Sequence, residues 1–102
     1  MHAQRGEWLL AHVYTILEKA VPAMEHALRC REITEANPGE MKDFDLAYAE
    51  EGLARAYALQ GDYEKAKHHH MLAEEKGGKI ADLEDKGIFD GDSKAEPWFG
   101  MV

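Results

Sequence analysis

The feature that most constrains this chain is an offset. Residues 43 positions apart match without a gap: Leu10 with Leu53, Ala11 with Ala54, Tyr14 with Tyr57, Ala23 with Ala66 and His26 with His69. A chain that repeats itself at such a period builds one supersecondary unit twice and buries its apolar faces between the copies. At 102 residues it holds two copies and a short remainder, which fits one domain spanning 1–102.

The unit is helical. Between the breaks Asn37-Pro38-Gly39, Gly61-Asp62 and Gly77-Gly78, the chain is rich in Ala, Leu, Glu, Lys, Arg and Met, the residues that lose least on entering a helix. No stretch alternates apolar and polar long enough for a strand. Leu10, Val13, Tyr14 and Leu17 recur at helical spacing. Pro22 opens a second helix with Ala23, Ala27, Cys30 and Ile33 on one face. Asp43 or Asp45 caps a third, with Leu46, Ala49, Leu53, Ala56 and Tyr57 inward, and Asp62 a fourth, with Ala66, His70 and Ala73 inward. A fifth, short helix starts near Asp82 and carries Leu83, Ile88 and Phe89, with Asp90-Gly91-Asp92 capping a turn. The fold class expected is all-α: two antiparallel helix hairpins, at about 5–36 and 43–76, then a short C-terminal helix or tail over 77–102. Small Ala23 and Ala66 let each second helix approach the first closely, and the Tyr fills the angle between them.

The second copy, Leu53-Ala54-Arg55-Ala56-Tyr57-Ala58-Leu59-Gln60-Gly61-Asp62-Tyr63-Glu64-Lys65-Ala66 and then Ala73, resembles the tetratricopeptide (TPR) family in its small, aromatic, glycine, aromatic and alanine positions. The first copy departs from that pattern: Glu18 stands at the turn glycine and Cys30 at the last alanine. The period is also longer than the usual ~34 residues, as in the long-period repeats of kinesin light chains. The chain is similar as well to small bacterial proteins of this kind, a resemblance that implies no activity. An ordinary four-helix bundle is the alternative.

The resemblance implies that the first helix of each hairpin lines a concave groove. The groove positions are then Arg5, Trp8, His12 and Thr15 from the first copy and Tyr48, Glu51, Arg55 and Ala58 from the second. Trp8 and Tyr48 would supply anchoring area and Arg55 a partner for a carboxylate, with Glu51 and His12 setting polarity. Equally, Trp8 and Tyr48 are packing residues. Two repeats leave apolar flanks that something must cover. Either the apolar end Pro97-Trp98-Phe99-Gly100-Met101-Val102 folds back, or a second subunit does the covering, and a homodimer is expected.

Charge narrows the partners. Lys and Arg number 12 against 20 Asp and Glu, a net charge of −8, the wrong sign for displacing counterions from nucleic acid. The imbalance is uneven: net −1 over 1–42, −4 over 43–76 and −3 over 77–102. No apolar run is long enough for a membrane span or signal peptide. The single cysteine, Cys30, excludes an internal disulfide, so a cytoplasmic location is expected.

Chemistry finds little footing. His68, His69 and His70 are adjacent, so on a helix they point ~100° apart and cannot grip one ion; His70 is expected inward and the other two outward. His26 and Cys30 form a two-ligand pair that nothing completes. In the acidic stretch from Asp82, Gly87 falls at the sixth position of a calcium loop, but Lys86 and Ser93 occupy the fifth and twelfth. Glu50-Glu51 and Glu74-Glu75 read as solvated helix faces. No nucleophile elbow, phosphate loop or zinc-protease motif occurs, and Cys30 stands at a packing position. The function expected is a non-catalytic protein–protein interaction or self-association module without metal or cofactor. The alternative is a small-molecule- or metal-binding regulator using the same groove.

Overall fold

A computed structural model describes residues 3–101; Met1, His2 and Val102, the last of which ends the apolar tail, lie outside them. The described residues form five α-helices and no strand: α1 Ala3–Ile16, α2 Ala20–Ala36, α3 Asp43–Gln60, α4 Tyr63–Gly78 and α5 Leu83–Lys94. A single 3₁₀ turn, Pro38–Glu40, lies between α2 and α3.

Local chemistry sets the boundaries. Pro22 sits in the first turn of α2, where its missing N–H costs nothing. Asp45 caps α3 from within, its carboxylate accepting the Lys42 N–H at 3.0 Å. Asp62 accepts the Lys65 N–H and Asp82 the Asp85 N–H at the starts of α4 and α5. Gly61 ends α3 at φ 81°, the left-handed region glycine enters without penalty. Glu18, 43 residues earlier, makes the same turn at φ 57°.

The helices pair as α1 with α2 and α3 with α4, and the first hairpin packs its α1 and α2 on α3. Ala23 and Ala66 are fully buried. Each hairpin is closed by the same three side chains. His26 Nδ1 donates to Glu7 Oε2 at 2.6 Å and its ring stacks on Tyr14, centroids 5.6 Å apart. His69 Nδ1 donates to Glu50 Oε2 at 2.7 Å and stacks on Tyr57 at 5.4 Å. Each His thus ties its second helix to the first through a charge-assisted bond and a ring contact.

α3 lies at the centre and is buried almost all round, which its alanines permit: Ala47, Ala49, Ala54, Ala56 and Ala58 let neighbours approach from several sides. Leu53 and Ala56 pack with Ala11, Ala27 and Met24 of the first hairpin. Ala54, Ala58 and Ala66 pack under Trp98 and Met101, so the C-terminal tail folds back onto its own second hairpin. Ala47, Ala73 and Ile80 enclose Phe89 of α5. Gly77 faces that ring, and any Cβ there would collide with it.

Several expectations need correction. His69, not His70, is the buried member of its run: it lies on the α4 face that meets α3, whereas half-buried His70 meets the edge of Trp98. Glu50 and Glu51 are buried rather than solvated, since His69, Trp8 and Arg55 satisfy them. Leu46 is exposed. Of the apolar residues on α5 only Phe89 is buried, with Leu83 and Ile88 in solvent. Gly77-Gly78 and Asp90-Gly91-Asp92 lie inside helices rather than in turns, carried by the packing around Phe89.

Candidate functional site

Arg5, Trp8 and Tyr48 line a recess of about 400 Å³ between α1, α3 and α5. Leu9, Phe44 and Asp92 complete its walls, with Gln4 and Asp45 at its base. Register explains the convergence. Trp8 lies on the side of α1 that meets α3, opposite Gly52, where a Cβ would stand 3.3 Å from the indole. The Tyr48 ring meets Trp8 edge-on at 5.1 Å and Phe89 at 4.9 Å.

Polar groups at the recess are largely paired. Arg5 grips Asp45 with two bonds, Nε to Oδ1 at 2.9 Å and Nη2 to Oδ2 at 3.2 Å, and its guanidinium lies 4.9 Å from the Phe44 ring centre. Hydrogen bonding to Asp45 raises the Arg5 pKa further. Gln4 donates to the Asp45 carbonyl at 3.0 Å. Tyr48 donates its hydroxyl to Asp92 Oδ2 at 2.5 Å, and burial together with that carboxylate pushes the phenol pKa up.

The other expected groove residues are engaged elsewhere. Thr15 is buried and donates to the Ala11 carbonyl of its own helix at 2.7 Å. Ala58 lies under the tail. Glu51 is buried behind the recess, accepting Trp8 Nε1 at 2.8 Å and Arg55 Nε at 2.7 Å. Arg55 is buried as well. Its Nη1 donates to the carbonyls of Ala95 and Pro97 and its Nη2 to that of Asp92, at 2.9, 3.0 and 2.6 Å. Trp98 lies against the same guanidinium, 4.1 Å from ring centre to Cζ. The carboxylate Arg55 meets is therefore Glu51 of its own chain, and its remaining donors hold the tail. His12 stacks on Trp8 at 5.1 Å, and its Nδ1 is buried without a hydrogen-bond partner.

No family model, curated protein or solved structure matches the chain.

A larger recess, about 590 Å³ between α4 and α5, mixes charges of both signs, among them Glu74, Lys86, Asp90 and Lys94. Among the described residues no three or more His, Cys, Asp or Glu side chains are grouped to hold a metal ion, and no helix is long and apolar enough to cross a membrane. Cys30 is buried; desolvation pushes its thiol pKa up to about 12, which suppresses the nucleophilic thiolate. Sequence reasoning missed Leu9, Phe44 and Asp92. The first two sit beside identified positions on the same helices, but Asp92 lies in a glycine-interrupted segment with no periodic signal.

Proposed function

We propose that the chain is a non-catalytic protein–protein interaction module of TPR type, which self-associates through α1 and receives a partner segment in the α1–α3 groove. One observation carries this reading. Leu53 is fully buried against the first hairpin, whereas Leu10, its counterpart one repeat earlier, is 42% exposed. Leu9, Val13, Ile16 and Leu17 share that exposed side of α1 and its end, all within about 120° of the helix wheel. The face that α3 uses to receive a hairpin is therefore repeated on α1, apolar and uncovered among the described residues. Apolar stripes of this extent mark association surfaces.

The other end of the pair is closed by α5 and the tail, which favours an isologous α1-to-α1 pairing over head-to-tail growth. The segment bearing this face also has the smallest net charge, −1 over 1–42, so repulsion between copies is least there. A cytoplasmic homodimer is the form this predicts. Sedimentation equilibrium at micromolar concentration should show a species of twice 11.5 kDa. Leu10→Lys with Val13→Lys should return it to the monomer mass while the far-ultraviolet circular dichroism stays helical. A monomer at every concentration overturns the self-association. The recess supports the alternative of a small-molecule-binding regulator, which a saturable thermal shift with a metabolite would favour.

A further inference from the structure

We infer that the recess between α1, α3 and α5 reads a basic side chain: a Lys or Arg of a partner peptide laid along the groove, its stem on Trp8 and Tyr48 and its charge at Asp92. The inference rests on the groove reading above and names the chemistry of the segment received there.

Three observations converge. The walls are aromatic, with Trp8, Tyr48 and Phe44 around about 400 Å³, a volume within the usual range of ligand sites. Aromatic faces attract cations through their quadrupole, and indole does so best. The recess already shows this chemistry, since the Arg5 guanidinium lies 4.9 Å over the Phe44 ring.

The charge balance of the lining points the same way. Asp45 neutralises Arg5 through both carboxylate oxygens. Asp92 is exposed at the rim; its backbone carbonyl is taken by Arg55, but its carboxylate accepts from the neutral Tyr48 hydroxyl and forms no salt bridge among the described residues. The lining is thus left with one net negative charge. The chain as a whole is acidic, net −8, which favours the approach of a cationic segment over an anionic one. A long basic side chain suits such a site because its stem covers apolar surface while its head reaches the carboxylate.

The test uses three capped dipeptides: acetyl-Leu-Arg-amide, its citrulline analogue, in which a neutral urea replaces the guanidinium, and acetyl-Leu-Glu-amide. The readout is the pair of indole N–H signals in the proton–nitrogen spectrum, since Trp8 lines the recess and Trp98, in the tail, is buried against the second hairpin. The arginine peptide should move the Trp8 signal saturably at millimolar concentration and leave Trp98 in place. The citrulline peptide should bind about fivefold more weakly, the scale of an exposed cation–π contact plus an exposed ion pair. Asp92→Asn keeps an acceptor for Tyr48 but removes the ion pair, so it should narrow the difference between the two to the cation–π share, about two- to threefold.

Equal binding of the arginine and citrulline peptides overturns the proposal. So does tighter binding of the glutamyl peptide, which would make Arg5 the reader, or no movement of Trp8 up to about 10 mM of any peptide, beyond which affinity is negligible. The sedimentation result on α1 stands or falls separately, so failure here is distinguishable from failure of self-association.

Discussion

The two hairpins share a closing device and differ in what lies beyond it. Each has a Glu on its first helix, a His on its second and a stacked Tyr, in bonds of 2.6 and 2.7 Å. In the second hairpin Arg55 lies under the tail, with its donors taken by Glu51 and three backbone carbonyls. The position one repeat earlier is His12, whose buried Nδ1 has no partner. The same scaffold thus supports a tightly satisfied polar centre where chain folds over it, and a loosely satisfied one where none does. Coverage, rather than the helix pair itself, decides how polar a groove position can be.

That contrast is most severely tested at its centre. Arg55→Met leaves the Glu51 carboxylate buried without its cation and should cost about 3–5 kcal/mol, read from the urea midpoint. His12→Leu should change stability by less than about 1 kcal/mol, because it removes an unsatisfied group rather than a partner. Equal losses would break the distinction between the two positions.

Gly77→Ala comes next. Its Cβ would meet the Phe89 ring, and such overpacking should cost about 1–3 kcal/mol. Thr34 stands at the matching place in the first hairpin, where it donates to the Cys30 carbonyl at 2.7 Å. Thr34→Ala should cost less than about 1 kcal/mol.

The turns give the smaller, opposed pair. Gly61→Ala, at φ 81°, should lose about 1 kcal/mol, and Glu18→Gly, at φ 57°, should gain up to about as much by relieving left-handed strain.

Cys30 sharpens the comparison through pH. Its folded pKa is raised from 9.0 to about 12, so the folded state holds the thiol proton more tightly than the unfolded chain does. The stability linked to this group is complete below pH 9.0 and is lost as pH rises toward about 12. Alkylation of the native protein should accordingly be slow at pH 8, and the urea midpoint should fall by pH 10.5. Rapid labelling at pH 8 with the helices intact would contradict this.

The repeat was legible because small residues recur wherever helices must touch: Ala11 and Ala54, Ala23 and Ala66. The third member of the closing device was not. Glu7 and Glu50 also stand 43 apart, but a carboxylate on a charged helix reads as solvated until its His is seen beside it. For Arg55 the groove position was readable and its occupant was not, since residues 92–97 lack the periodicity that would place them. The sequence places His70 inward because Ala66, His70 and Ala73 form an acceptable helical stripe. The neighbouring choice, His69, differs by only ~100° of rotation, and the pairing with Glu50 decides it.

The clasp formed by Arg55 and Trp98 gives the array a direction. An additional hairpin grafted ahead of α1 would meet a ready-made apolar seat beside Leu10 and Val13. One appended after Met101 would first have to pry the indole out from between Ala54, Ala58 and Ala66. Engineered lengthening of this molecule should therefore be easier on the α1 side than on the side that Trp98 and Met101 cover.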